Sequence, residues 1–259
     1  MNRSRLSRAR RRVLHAVERR TFRPATESLD LDELVSPLRY DIIVRAEYFD
    51  YLSERLDLYD ADFDRYVTAA TDTRYFTWFA TVALTRYRPR RASDPSHVMA
   101  EFRDRLRRST SLLRSFENEG FDTRYPVSVR TAVRGATTGT GKLVPRGYYP
   151  GDGCHRLALL VRAGQHTLPP SYYQVRRDPQ RTVIDNTHSL VRDLRLSPEE
   201  YYRFLSKGYA DSTFADAPAL LACVAERAPH RLSELHGVIA VDERAFVRPP
   251  EGSTASRVD

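Results

Sequence analysis

The chain has 259 residues, of which 41% are hydrophobic, 10% aromatic and 29% charged, enough for one large domain or two small ones and too aromatic for a disordered chain. No apolar run approaches the roughly 18 residues of a membrane span and no apolar stretch of a secretory signal opens the chain, so a soluble, cytoplasmic protein is expected. The formal net charge of +8 is carried by residues 1–23 alone, which leaves the remainder neutral, so the basic balance describes an arm and excludes a uniformly basic core.

Residues 1–28 read as that basic arm, with nine arginines between Arg3 and Arg23 against the single acid Glu18. Leu6, Ala9, Val13, Ala16 and Val17 recur at helical spacing, so the arm can form a basic amphipathic helix. It suits DNA, an anionic membrane surface or an acidic partner, or a solvated tail. Residues 29–104 read as a helical, aromatic-rich region. Tyr40–Val44 opens it as a short strand-like run, and Phe49, Leu52 and Leu56 follow at helical spacing. Tyr66, Tyr75, Phe76, Trp78 and Phe79 suit a core better than a ligand platform. Pro89 and Pro95 break the pattern, after which Ser93 or Asp94 caps a helix from about Pro95 to Glu119, stopped by Gly120.

Residues 105–186 form the expected core, in the order helix, strand, loop, strand, glycine turn, helix, strand. Residues 187–250 return to helix. Ser197, Pro198, Glu200 and Gly208 mark the N-cap, N1, N3 and C′ positions of one helix, 217–228 supplies another, and "GVIAVD" (237–242) looks like a last strand. Residues 251–259 read as a disordered tail.

Two cysteines 69 positions apart, Cys154 and Cys223, make no disulfide scaffold, and the seven histidines form no zinc-type cluster. The chemistry concentrates in "YYPGDGCHRLALLVRAG". Gly151 and Gly153 flank a turn that leads directly into a helix, whose first N–H groups lack intrahelical partners and lie at the positive end of its dipole. Glycines let a bulky anion approach the backbone, Arg156 can grip two phosphate oxygens, and His155 adds a donor, so a phosphate fits this turn. An ordinary tight turn with a surface Arg156 is the other reading. Cys154 at a helix start, beside His155 and Arg156, is a candidate nucleophile. Asp152 can hold a magnesium ion, orient a nucleophile or cap the helix. "ATTGTGKL" mimics a Walker loop, but Ala136 stands where its first glycine belongs and Leu143 where Ser or Thr belongs. Lys142 is left either reaching the phosphates or on a disordered hairpin tip.

This stretch resembles the ParB/sulfiredoxin superfamily. Sulfiredoxins read Gly-Gly-Cys-His-Arg at the turn, then a helix and "TIPAKLV"; this chain reads Gly-Asp-Gly-Cys-His-Arg (151–156), a helix and "TLPPSYYQV" from Thr167. ParB-type members and the related free serine kinases carry Asp-Gly-x-His-Arg or Gly-x-x-Arg there. Upstream, "LLRSFENEGFDTRYPVSV" is similar to the superfamily's helix and strand, with Gly120 and Pro126 in place, so the resemblance covers about residues 105–177. It implies an α+β fold with a small mixed sheet at the centre and helical extensions at both ends. It also implies that Gly153, His155 and Arg156 bind the phosphates of ATP or CTP, that Cys154 falls at sulfiredoxin's catalytic cysteine, and that Mg2+ accompanies the nucleotide. A nucleotide-dependent phosphotransferase or hydrolase is the expectation; a DNA-associated module switched by nucleotide is the alternative, and a sulfiredoxin-type thiol enzyme a third.

Overall fold

The computed structural model describes residues 21–84, 94–144 and 147–247. The amphipathic helix expected in residues 1–20 and the tail from residue 251 lie outside the described residues. The arm does not run to residue 28 as a free segment. Phe22–Pro24 is a strand (β1) in the main sheet, and Leu29–Asp30 a second strand (β2) that pairs antiparallel with Thr167–Leu168 (β5).

The fold is α+β, a small mixed sheet with helices packed around it. The sheet runs β1, β6 (Tyr173–Arg176), β3 (Val127–Thr138), β4 (Tyr148–Asp152). β1 pairs antiparallel with β6, β6 parallel with β3, and β3 antiparallel with β4. The distal half of β3 also pairs, in parallel, with Gln180–Val183 (β7), which sequence reading missed. Val127, Val129 and Val175 are buried along the β3/β6 pair, as period-two alternation requires.

Short helices Leu31–Val35 (α1), Leu56–Ala61 (α3), Phe63–Ala70 (α4) and Arg74–Trp78 (α5, continued by a π turn through Ala83) surround a longer one, Tyr40–Ser53 (α2). The strand expected at Tyr40–Val44 is the first turn of α2. Tyr40, Ile42, Val44, Tyr48, Phe49 and Leu52 are all buried, so α2 is apolar on nearly every side and its period is lost over five residues. The capped helix falls where the sequence puts it, at Pro95–Glu119 (α6), with Asp94 accepting from the Ser96 N–H at the start and Gly120 at φ 76° at the end. The aromatics take the core role: Tyr66, Tyr75, Trp78 and Phe79 are buried in one cluster with α2.

After the turn, Cys154–Arg162 (α7) packs against α2. Thr187–Asp193 (α8), Pro198–Tyr209 (α9), Ala217–Arg227 (α10) and Leu232–Val247 (α11) complete the chain. The Ser197/Glu200 capping box forms as expected. Gly208, however, lies inside α9, where an added Cβ would meet the Ser36 Cβ at 2.8 Å, so it serves helix packing and not a C′ cap. The strand expected at "GVIAVD" is part of α11. Leu235, Val238, Ile239 and Asp242 are buried at helical spacing, and the charge at 242 hides that period.

Asp242 is buried for a reason that also corrects the role of Lys142. The Lys142 Nζ is bound by Asp242 at 2.7 Å and Asp185 at 2.8 Å, with Lys142 only 1% exposed. The Tyr201 hydroxyl donates to Asp242 at 2.8 Å and the Thr140 hydroxyl to Asp185 at 3.2 Å. Lys142 is neither a phosphate contact nor a disordered tip; it ties the β3–β4 loop to α8, α9 and α11. Replacing one partner of such a cluster leaves buried charge uncompensated. Lys142→Met is therefore expected to lower unfolding free energy by about 3–5 kcal/mol in urea titration. A loss below about 1 kcal/mol would show that the two carboxylates are solvated or protonated without it.

Candidate functional site

The turn is built by backbone requirements. Gly153, the N-cap of α7, sits at φ 88°, where residues with side chains are strained, and an added Cβ would press on the Val127 Cα and on Arg156 at 3.3 Å. At Gly151 a Cβ would meet Ser128 Oγ and Arg130 Nε at 3.0 Å. A register shift between Ser128 and Val129 of β3, opposite β4, turns the chain into the helix.

Arg39, at the start of α2, holds this turn from below. Its guanidinium donates to both Asp41 oxygens at 2.9 and 3.1 Å, to the Pro150 carbonyl at 3.0 Å and to the Cys154 sulfur at 2.9 Å. Arg45 grips the same Asp41 from one helical turn further on. Burial alone would raise the Asp41 pKa, but Arg39 and Arg45 outweigh it and keep the carboxyl ionised, held well below the usual carboxylate range.

Above these residues lies a pocket of about 310 Å3, lined by Arg39, Arg45, Trp78, Arg105, Gly151, Asp152, Cys154, His155, Ile184 and Asn186 among others. A second cavity of about 210 Å3 shares Arg45, Trp78, Arg105 and His155 with it and adds Tyr75, Phe79 and Arg108. Three buried donors of this lining, Arg45 Nε, Arg105 Nε and Trp78 Nε1, have no acceptor among the described residues. Arg45 itself is only 8% exposed and its guanidinium stacks over the Trp78 ring at 4.3 Å. Buried donors left without acceptors cost about 1–3 kcal/mol each, and here they belong to residues that line the cavity.

The sequence-predicted residues divide. Gly151, Asp152, Cys154 and His155 line the pocket. Gly153 is its pivot. Arg156 does not line it: its guanidinium donates to the Pro126 carbonyl at 3.2 Å. Lys142 is bound in the separate cluster already described. Asp152 is exposed and its Oδ1 accepts from the neighbouring Gly153 N–H at 2.7 Å; α7, whose N-cap is Gly153, has no side-chain cap, so the capping role expected of Asp152 is not what the structure shows. Among the described residues no three His, Cys, Asp or Glu gather to hold a metal ion. Asp152 alone would contribute a carboxylate to a metal brought in by phosphates, as magnesium usually is.

Sequence reading missed Arg39, Arg45, Arg105 and Trp78. Among 42 basic residues no local pattern marks an arginine 46 or more positions from the turn it serves. The one available signal was "RYDIIVR", two arginines set around an acid in an otherwise apolar helix.

No protein-family model, curated protein or solved structure matches the chain.

His155 accepts or donates through Nε2 to the Tyr75 hydroxyl at 3.0 Å. Burial, then the positive Arg45 and Arg105, push its pKa well below 6.5, so the folded protein keeps it neutral. In the unfolded chain the ring takes a proton as pH falls through about 6.5, so the stability it contributes is complete above that pH and is lost below it. Urea midpoints for wild type are expected to drop between about pH 7.5 and about pH 5.5, and to drop less for His155→Gln. Equal pH slopes for the two proteins would mean that His155 charges freely in the fold.

Proposed function

We propose that the glycine-turn pocket binds the phosphates of a nucleotide. The observation that carries this reading is a cavity at the start of α7 lined by Arg39, Arg45, Arg105 and Trp78, in which Arg45 Nε, Arg105 Nε and Trp78 Nε1 have no acceptor among the described residues. A phosphate presents acceptor oxygens and negative charge together, which answers both the donors and the helix dipole. The cavity volume, about 310 Å3, is at the lower end for small-molecule sites, and the adjoining aromatic cavity adds room for a base or sugar. The resemblance to ParB and sulfiredoxin proteins favours ATP or CTP as the nucleotide.

Transfer or hydrolysis of the terminal phosphoryl group is the chemistry such a site supports, since that chemistry needs mainly positioning and neutralisation of charge. In this reading Arg45, Arg105 and Trp78 hold the phosphates. Arg39 keeps Cys154 and the turn in place through its hydrogen bonds to the Cys154 sulfur and the Pro150 carbonyl, braced by two more to Asp41. His155, kept neutral and fixed by Tyr75 through Nε2, offers a hydrogen bond to the ligand through Nδ1. Asp152, at the mouth, is the carboxylate available to Mg2+.

Calorimetric titration with ATP and CTP, with and without Mg2+, tests the reading. Arg105→Ala is expected to weaken binding by about 1.5–3 kcal/mol, the worth of a charge-assisted hydrogen bond. Arg156→Ala, which removes a guanidinium already committed to Pro126, is expected to change affinity by no more than about 0.5 kcal/mol. The reverse pattern would put the phosphates on the outer side of the turn. Failure of both nucleotides to bind at millimolar concentration would defeat the proposal.

A further inference from the structure

A larger cavity, of about 820 Å3, opens between α8 and α11 and shares no lining residue with the glycine-turn pocket. Its floor is apolar: Ala240, Val241 and Ala245 of α11. Its walls are polar, with Thr140, His188, Arg192, Glu243 and Arg244. His188 and Arg192 stand one helical turn apart on α8, and Arg244 faces them from α11. Two of the charged groups are already engaged. Arg192 binds Asp193 at 2.6 Å, and Glu243 accepts from the Tyr202 hydroxyl at 2.6 Å. Arg244 has no ion-pair partner among the described residues.

His188 is held in a defined orientation. Its Nδ1 meets Asp242 Oδ1 at 3.1 Å, while Asp242 is wholly buried and fixed by Lys142 and Tyr201 through its other oxygen. The histidine's backbone N–H donates to Asp185 at 3.1 Å. With Nδ1 occupied, Nε2 is the ring atom left for the groove. A histidine oriented by a carboxylate, which is itself oriented by buried donors, is a constellation found where a side chain must meet a ligand in fixed geometry.

We infer that this groove is a second ligand site, for a small molecule with an anionic head and an apolar body. The head, a carboxylate or a phosphomonoester, sits on Arg244 beside His188, whose Nε2 is an acceptor for a protonated phosphomonoester oxygen; the body lies on Ala240, Val241 and Ala245. Tyr201, through Asp242, is a positioning residue. The site is independent of the nucleotide reading.

Octanoate and octyl phosphate, with octanol and octylammonium as controls, are the probes, and binding to the full chain is read by calorimetry with thermal unfolding as the check on folding. At least one of the two anions is expected to saturate, and whichever binds more tightly identifies the head group. Both controls are expected to bind at least about tenfold more weakly than that anion, the least that one charge-assisted contact supplies. Arg244→Ala, an exposed change, is expected to weaken the anion by a similar factor. Val241→Trp is expected to remove binding by filling the floor, and Arg105→Gln to leave it unchanged. Tyr201→Phe, if folded, is expected to weaken the anion more than the alcohol. Absence of binding by both anions, equal binding of octanol, or indifference to Arg244→Ala together with sensitivity to Arg105→Gln would overturn the inference.

Discussion

The Asp41 carboxylate, buried between Arg39 and Arg45, is the interaction on which the rest of the site depends. Two guanidinium groups cannot be taken out of water without a counter-charge, and Asp41 supplies it with no exposed surface of its own. Once anchored, Arg39 spends its remaining donors on the Pro150 carbonyl and the Cys154 sulfur, which joins the central helix α2 to the last residues of β4 and the first of α7. The glycine turn is thereby fixed from outside its own strand and helix. Arg45, held by the same carboxylate, lines the pocket, and its Nε has no acceptor among the described residues.

The two buried charge clusters contrast in a way that separates support from function. Around Lys142 the ammonium has two carboxylates, and each carboxylate has further donors, Tyr201 and His188 for one and Thr140 for the other. That cluster is complete and acts as a tie between loop and helices. Around Asp41 one carboxylate serves two arginines, a third arginine, Arg105, stands nearby, and unsatisfied donors remain. Burial, reinforced by this excess positive charge, keeps His155 in the same lining neutral. That contrast between a satisfied cluster and donors without acceptors among the described residues is what the nucleotide proposal rests on.

Much of this was legible in the sequence where physics is local. The α6 boundaries, the capping box of α9 and the turn into α7 each depend on residues within a few positions of one another, and Asp94, Gly120, Ser197 and Gly153 announce them. The α+β class, which the resemblance implied, agrees with the order of such elements. Legibility failed where burial is decided by distant partners. Tyr40–Val44 and "GVIAVD" are helical because of what encloses them, and Gly208 is needed because Ser36 lies against it. At the site the turn residues could be read, whereas the arginines and Trp78 that face them arrive from α2, α5 and α6 through tertiary packing. Arg156 looked like the phosphate grip because it is adjacent in sequence; adjacency on the first turn of a helix also allowed it to reach back to Pro126.

The chain holds a single tryptophan, and it is Trp78. Its indole N–H, which has no acceptor among the described residues and belongs to a pocket-lining side chain, gives one isolated signal in a proton–nitrogen NMR spectrum. Titrating ATP or CTP and following that signal reads the donor itself. If the unsatisfied donors are the phosphate site, the indole resonance moves saturably toward the hydrogen-bonded range with the midpoint found by calorimetry. If nucleotide binds and the resonance stays where it was, the ligand lies elsewhere and the central role given to the Arg45, Arg105 and Trp78 donors is wrong.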